Sequence, residues 1–317
     1  MAFATFEIIE GVESLWALPS GVEPKGLVMC LHGACHGAED FFPATVPPSK
    51  AAGLPESMRI SKALLTDGWG VLALSSAMRS HPQMWDSRGD AQSVVAAVAC
   101  FRTQHRLTSA PLVALGISAG GALAMKLPRL MRIDALVVQI MAASPHELKC
   151  QKGDAQYPPA LFIHMARDGA GPIRCTSSPG GTGELVGACI AELRRRGIKA
   201  SDVLARPLPI TATFFSERIP RCQPHLSAAI QRVLKERGII DEANMLIDDP
   251  RSNLSWMRAL RASPEITSQL PGRQHGEADS LEADCSPVAE VLNAAYCQHE
   301  ITADCMSQTL AWINTVV

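Results

Sequence analysis

A serine held between two glycines is the feature of this chain that most directly indicates chemistry. A short apolar run at residues 111–115 leads into Gly116-Ile-Ser-Ala-Gly120, and a helical stretch follows. A serine at such a strand-to-helix turn takes a strained backbone conformation, and the flanking glycines leave room for it. The pattern is typical of a nucleophile elbow and predicts acyl transfer through Ser118. The alternative is a glycine-rich turn that only permits close packing.

A nucleophilic serine needs a general base, usually a histidine, and a carboxylate that orients this base. In chains with this kind of elbow the acid and the histidine follow the serine in that order. Asp168 comes directly after a predicted strand at 159–165, at the sheet edge where ligand sites gather, and is the candidate acid. A loop-capping role is the alternative for Asp168, and Glu147, after the preceding strand, is the reserve acid.

Three downstream histidines are candidates for the base. His275 lies in a polar stretch, where we expect it to be solvated. His225 has the simplest topological position, because it follows a predicted strand at 210–215 and precedes a helix. His299 lies in a turn between two predicted helices, and Thr302 is placed to cap the second of them. Spacing alone slightly favours His225 and leaves the choice open.

Two backbone N–H groups are expected to stabilise the charge that develops on the carbonyl oxygen. Ala119, the residue after the nucleophile, would supply one of them. Gly33 or Ala34 would supply the other, because they follow a fully apolar predicted strand at 26–31. On the same loop, His32 and His36 are candidate pocket residues.

Composition narrows the class of protein. The chain has 317 residues, 47% of them hydrophobic and 19% charged, which suits one large α/β domain with an insertion or two small domains. The net charge of −2 predicts no basic face, so we expect neither nucleic acid nor an anionic membrane as a partner. No secretory or membrane-spanning pattern is present, and the ten cysteines are irregularly spaced. These features predict reduced thiols in a soluble cytoplasmic protein.

Strand-like and helical stretches alternate along the chain, which predicts a mostly parallel central sheet flanked by helices. Residues 1–237 are expected to form the core of this α/β fold, with the last strand at 210–215. Residues 238–287 are acidic and then rich in helix breakers, and we interpret them as an insertion or lid with a mobile linker. Residues 288–317 are expected to be helices that complete the core and carry His299.

The chain resembles α/β hydrolases along most of residues 25–237 and again at 286–317. More narrowly, it resembles a little-characterised group of plant and algal α/β-hydrolase-like proteins. The shared segments are LHGACHGAEDFF at 31–42, GISAGG at 116–121, PPALFIHM at 158–165 with Asp168, FSERIP at 215–220 and YCQHEIT at 296–302.

The resemblance implies the α/β-hydrolase fold and a triad of Ser118, Asp168 and His299, because a His-Glu-apolar-Thr element near the C-terminus is characteristic of the group. It also implies that an insertion separates the last strand from the base. It supplies no substrate.

The favoured function is therefore a serine hydrolase that cleaves a small or medium acyl substrate, preferably a carboxylic ester, through an acyl-enzyme. A ligand-binding protein of the same fold with slow or no turnover is the alternative from another class. A peptidase similar to prolyl oligopeptidase is a further alternative, suggested by the extra glycine at 121. We expect no metal, because His32 and His36 are four residues apart on a loop rather than on a helix. We also expect no cofactor, because the glycine-rich run at 180–183 has neither the lysine of a P-loop nor the spacing of a dinucleotide-binding motif. The oligomeric state stays open.

Overall fold

A computed structural model of the chain describes residues 4–43, 53–78, 84–150, 156–169, 181–270, 281 and 286–317. These residues contain one eight-stranded sheet with the order β1-β2-β4-β3-β5-β6-β7-β8. The first two pairings, β1 with β2 and β2 with β4, are antiparallel, and all the others are parallel. The strands are β1 (Thr5–Ile9), β2 (Val12–Ala17), β3 (Leu27–Leu31), β4 (Gly70–Leu74), β5 (Leu112–Ile117), β6 (Ala135–Gln139), β7 (Ala160–Met165) and β8 (Ala200–Ala205).

Helices cover the sheet on both sides, which confirms the predicted fold class. The helices are α1 (Pro55–Thr66), α2 (Gly89–Gln104), α3 (Ala119–Ala124), α4 (Gly181–Arg195), α5 (Phe214–Arg218), α6 (Pro224–Glu236), α7 (Ser255–Arg261), α8 (Pro264–Thr267), α9 (Pro287–Tyr296) and α10 (Met306–Val316). Short 3₁₀ turns lie at Ala38–Phe41, Leu127–Arg129 and Pro145–Glu147. No helix in the described ranges is long and apolar enough to cross a bilayer.

The central strands are apolar on both faces because both faces are buried. In β3, Leu27, Met29 and Leu31 pack into one apolar layer with α2, α3 and α4. The alternate residues Val28 and Cys30 pack into the opposite layer with α1 and α10. Side chains of successive strand residues point to opposite faces, so a strand covered on both sides becomes a continuous apolar run.

The strand predicted at 210–215 is wrong. The last strand is β8, and Phe214 and Phe215 begin α5 instead, where their buried rings pack edge to face with centroids 5.3 Å apart. Two features explain the error. The alternation of polar and apolar residues in ITATFF imitates a strand, whereas β8 is an edge strand whose partly exposed, mixed sequence ASDVLA gives a weak signal.

The chain from α5 to α9 forms a third apolar cluster. It is built from α5 and α6, the chain around Ile240 and Leu246, the helices α7 and α8, and one face of α9. Residues 271–280 and 282–285 of the predicted insertion lie outside the described residues, and with them the candidate His275.

Candidate active site

Ser118 occupies the turn between β5 and α3 with φ 48° and ψ −114°, a backbone conformation that residues with side chains rarely adopt. The flanking glycines are required by space. A Cβ added to Gly116 would lie 2.4 Å from the carbonyl oxygen of Gly120, and a Cβ on Gly120 would lie 2.2 Å from that of Leu31. The strained turn thus presents the Ser118 hydroxyl beyond the carboxyl end of β5.

His299 lies beside this hydroxyl. Its Nε2 is 3.1 Å from Ser118 Oγ, and its Nδ1 is 3.2 Å from each carboxylate oxygen of Asp168. An ionised carboxylate can only accept, so Nδ1 carries the hydrogen and donates it to Asp168. Nε2 is then left as an acceptor for the Ser118 hydroxyl. The structure therefore brings together Ser118, Asp168 and His299 in one hydrogen-bonded chain.

Asp168 is positioned by the turn after β7, and its side chain is 1% exposed. Its amide donates to the Met165 carbonyl oxygen, with an N–O distance of 3.1 Å. The neighbouring Arg167 amide donates to the carbonyl oxygen of Cys297, 3.0 Å away. Cys297 ends α9 in a left-handed conformation with φ 67°. The acid-bearing turn and the start of the His299 loop are thus joined through backbone atoms.

The loop that carries His299 is held by two buried polar side chains from distant parts of the sequence. Gln139, the last residue of β6, accepts from the Thr302 amide and donates to the Thr302 carbonyl oxygen, both at 3.1 Å. Glu56 of α1 accepts from the Ala303 amide at 2.7 Å. Sequence reasoning missed both residues. The available signal was a glutamine that ends an otherwise apolar strand, since a buried polar side chain must find a partner.

A group of carboxyl groups lies behind this loop. Glu290 is 3% exposed and accepts from the Glu56 amide at 2.9 Å. Burial, together with the nearby Glu300 and Glu56, holds the pKa of Glu290 well above the ordinary glutamate range, which favours its protonated form. Burial also raises the pKa of Glu56, although the adjacent Arg59 opposes that shift.

His32 supports the loop that follows β3. Its Nδ1 donates to the Gly33 carbonyl oxygen at 2.6 Å, and its Nε2 accepts from the Ser76 amide at 3.0 Å. Trp85 donates its indole N–H to the His32 carbonyl oxygen at 2.8 Å and packs its ring against the imidazole. Both ring nitrogens of His32 are thus engaged in holding the loop.

The backbone of this loop approaches the serine. A Cβ added to Gly33 would lie 3.7 Å from Cβ of Ser118. Within the part of the chain that the structure describes, the amides of Ala34 and Ala119 donate to no protein acceptor. Next on the loop, His36 faces the same space with its Nδ1 3.0 Å from Asp40 Oδ2.

A cavity of about 260 Å³ opens beside Ser118. One group of lining residues is apolar and comprises Ala34, Phe41, Ile117, Ile140 and Ile301. A second group is polar and comprises His36, Asp40, Ser57, Arg251 and Glu300, while His32, Gly33, Cys35, Ser118 and His299 complete the lining. Sequence reasoning did not single out Arg251. Within the described ranges, no cluster of three or more His, Cys, Asp or Glu side chains has the arrangement of a metal site.

Two of the reserve candidates lie elsewhere. His225 is exposed on the first turn of α6, where its Nε2 lies 2.8 Å from Oε1 of Gln269. Glu147 is exposed on a 3₁₀ turn, and its carbonyl oxygen accepts from Arg129. Neither residue contacts Ser118 or His299 in the described part of the chain.

No family model and no curated protein sequence matches the chain. Solved structures are similar to parts of the chain at low sequence identity. The eight-stranded, mostly parallel sheet with flanking helices, and the serine turn directly after β5, have the architecture of the α/β-hydrolase fold. A sugar hydrolase (YeeB) from Lactococcus lactis is 14% identical, with 75% of this chain and 98% of that chain covered and a TM-score of 0.47. MGS-M1, an α/β hydrolase enzyme from a Medee basin deep-sea metagenome library, is 16% identical over 68% and 86% of the two chains, with a TM-score of 0.42.

A third similar structure is the dienelactone hydrolase from Anabaena variabilis. It is 15% identical, with 65% of this chain and 86% of that chain covered and a TM-score of 0.44. Similarity at this level gives no information on activity or substrate.

Proposed function

We propose that this protein is a serine hydrolase that cleaves small or medium carboxylic esters through an acyl-enzyme on Ser118. The observation that carries the proposal is the hydrogen-bonded chain from Ser118 Oγ through His299 to Asp168. The order of these residues along the chain matches that of α/β-hydrolase triads. We also propose, from the shared segments alone, that the chain belongs to the plant and algal group it resembles.

In the first half-reaction, Ser118 Oγ forms a bond to the carbonyl carbon of the ester while its proton passes to His299 Nε2. Asp168 stabilises the resulting imidazolium through the Nδ1 hydrogen. The carbonyl oxygen becomes an oxyanion, to which the amides of Ala119 and of Gly33 or Ala34 donate in this proposal. The oxyanion then reforms the carbonyl, the bond to the alcohol oxygen breaks, and His299 gives its proton to the departing alcohol.

In the second half-reaction, water takes the place of the alcohol. His299 Nε2 removes one proton from the water as its oxygen bonds to the acyl carbon. The second oxyanion collapses, the bond to Ser118 Oγ breaks, and His299 returns the proton to the serine. The products are a carboxylic acid and the original enzyme, so no cofactor or redox partner is needed to balance the reaction.

The shape of the cavity supports a substrate of modest size. About 260 Å³ beside Ser118 is at or below the size of pockets that hold drug-sized ligands. The apolar group of lining residues suits an acyl chain or an aromatic ring, which gains free energy by leaving water. An ester is favoured over a long peptide because a polypeptide needs an extended groove.

Hydrolysis of para-nitrophenyl butyrate by matched histidine variants tests the proposal. We expect His299→Ala and Ser118→Ala each to lower kcat/KM by about 1,000-fold or more, since the triad acts as a unit. His225→Ala should leave it unchanged, because His225 bonds to Gln269 far from the serine. Loss of turnover in His225→Ala but not in His299→Ala would overturn the assignment of the base. A folded wild-type protein without turnover would favour a ligand-binding protein.

A further inference from the structure

Arg251 distinguishes the cavity beside Ser118 from a plain apolar acyl pocket. It is the only lysine or arginine among the described residues that line the cavity. Its side chain is 15% exposed, so the guanidinium is largely removed from bulk solvent. A cation in such a place interacts more strongly with an anion than it would in water. It is therefore a candidate for recognising a charged group on the substrate.

The turn that bears Arg251 is tightly held. Asp249 accepts from the Arg251 amide at 3.0 Å through one carboxylate oxygen and from the Ser252 hydroxyl at 2.8 Å through the other. The Trp256 indole donates to the carbonyl oxygen of Pro250 at 2.8 Å. A side chain on a turn fixed in this way is pre-positioned, which lowers the entropy cost of ligand binding.

The guanidinium has one protein partner in the described part of the chain. Its Nη2 donates to Glu300 Oε2 at 2.6 Å. Glu300 does not depend on this bond alone, because Oε2 also accepts from Asn293 at 3.2 Å and Oε1 accepts from the Ile301 amide at 2.9 Å. An arginine has five N–H donors in a planar fork that fits a carboxylate. Several donors of Arg251 thus remain for a ligand.

We propose that the ester substrate carries a carboxylate and that Arg251 binds it in the cavity. The inference rests on the proposed function, since the substrate is the ester whose carbonyl carbon meets Ser118. The apolar group of lining residues takes the carbon skeleton, and Arg251 fixes the charged end. Arg251 is then a specificity-determining residue that belongs to the segment between α6 and α7, outside the elbow and the triad.

A purely structural role for Arg251 makes a different prediction. If Arg251 only fastens the His299 loop through Glu300, its loss would slow the hydrolysis of charged and neutral esters by the same factor. If Arg251 binds substrate, its removal would lower kcat/KM for the charged ester much more than for the neutral one. The ratio of kcat/KM for a carboxylate ester to that for its neutral amide isostere separates the two roles, because general damage cancels in the ratio.

Two pairs of esters cover both possible positions of the charge. The first pair is para-butyryloxybenzoate with para-butyryloxybenzamide, which places the charge on the alcohol. The second is monophenyl adipate with its primary amide, which places the charge on the acyl group. In one of the pairs we expect the wild type to prefer the carboxylate by roughly 10- to 100-fold in kcat/KM, the usual effect of a charge-assisted hydrogen bond.

The variants then assign the preference. Arg251→Met should bring the ratio close to one, and Arg251→Lys should restore part of it, because lysine keeps the charge but not the fork. Arg258→Met is the matched control, since Arg258 is exposed on the neighbouring helix α7 and does not line the cavity. It should leave the ratio unchanged. A wild-type ratio of one in both pairs, or a preference that survives in Arg251→Met, would overturn the proposal.

Calorimetric titration tests the same site without turnover. The ligands are the analogues of the same four esters in which an amide replaces the ester. We expect the carboxylate analogue to bind the wild type at least about 10-fold more tightly than its neutral partner, and Arg251→Met to abolish this difference. Such binding without any ester hydrolysis would refute the proposed function and support the carboxylate site. Equal binding of acid and amide in both pairs would overturn the carboxylate site, even if neutral esters were hydrolysed.

Discussion

The nucleophile and the base of the site are held by different kinds of contact. Ser118 is fixed mainly by its neighbours in sequence, through the end of β5, the positive φ of the turn and the glycines at 116 and 120. His299 is fixed by residues far away in the sequence. Gln139 and Glu56 hold its loop at Thr302 and Ala303 across 163 and 247 positions of the chain.

Mutations at the elbow and mutations behind His299 should therefore have different effects. A change at the elbow meets rigid backbone, because the atoms next to the glycines are carbonyl oxygens that cannot move aside. A change behind the base removes hydrogen bonds and leaves the sheet intact. We therefore expect elbow variants to lose the fold, and variants behind the base to lose turnover before they lose the fold.

The largest effect on stability should come from Gly120→Ala. Its Cβ would lie 2.2 Å from the Leu31 carbonyl oxygen, which requires the backbone at the start of α3 or at the end of β3 to shift. We expect a loss of about 3 kcal/mol or more in the free energy of unfolding, measured by urea denaturation. Gly187→Ala is the control, because Gly187 is exposed in α4 and faces open space. It should stabilise the protein by about 0.5–1 kcal/mol. A Gly120→Ala protein of normal stability would show that the elbow is not rigid.

The next effect concerns Asp168→Asn. An asparagine can place its amide hydrogens toward His299 Nδ1, which would move the imidazole hydrogen to Nε2 and leave no acceptor for Ser118. We expect kcat to fall by about 1,000- to 10,000-fold. Asp202→Asn is the matched control, because Asp202 pairs with His164 at 3.0 Å on the edge strand. Steady-state kinetics should show no change in kcat for Asp202→Asn. A small loss of kcat in Asp168→Asn would contradict the role of Asp168 as the acid.

A smaller effect is expected for Gln139→Leu, which keeps much of the side-chain volume and removes both bonds to Thr302. Kinetics should show kcat lower by roughly 10- to 100-fold with little change in KM, because His299 loses its alignment while the pocket remains. The free energy of unfolding should fall by about 1–3 kcal/mol. The control Gln231→Leu changes a residue of α6, away from the site, and removes its bond to Asn244; it should leave kcat unaltered. Equal kcat values for the two variants would contradict the positioning role.

Glu290→Gln should have the smallest effect on the free energy of unfolding at acid pH. Its effect should also depend most clearly on pH. The native pKa of Glu290 lies above the unfolded pKa, so the stability linked to this group is complete below the unfolded pKa and is lost as pH rises toward the native one. Near pH 4 the free energy of unfolding of the variant should lie within about 0.5 kcal/mol of that of the wild type. As the pH rises above the ordinary glutamate pKa of about 4, its stability should decline less steeply than that of the wild type. Parallel pH profiles from urea denaturation would show that Glu290 does not hold its proton.

The same contrast decides what the sequence could predict. Ser118 and the parallel sheet follow from local patterns, because an apolar strand, two glycines and a helix are adjacent in the chain. The choice of His299 over His225 came from a resemblance, since spacing slightly favoured His225. The bonds from Gln139 and Glu56 join residues that only the folded chain brings together, so no local pattern predicts them.

Two further points show the limit of local patterns. The strand predicted at 210–215 failed because a short alternation of polar and apolar residues also suits a buried helix start such as Phe214-Phe215. Arg251 lies in a segment without a periodic pattern, and its place at the cavity depends on how α7 and the preceding turn pack.

Intact-protein mass spectrometry after treatment with a fluorophosphonate tests the central claim most directly, because the reagent modifies a serine only when a base activates it. We predict one adduct on the wild type, mapped to Ser118 and absent from Ser118→Ala. The rate of modification should fall by about 100-fold or more in His299→Ala and stay the same in His225→Ala. A folded wild-type protein that takes up no adduct at Ser118, or one whose modification does not slow in His299→Ala, would contradict the account.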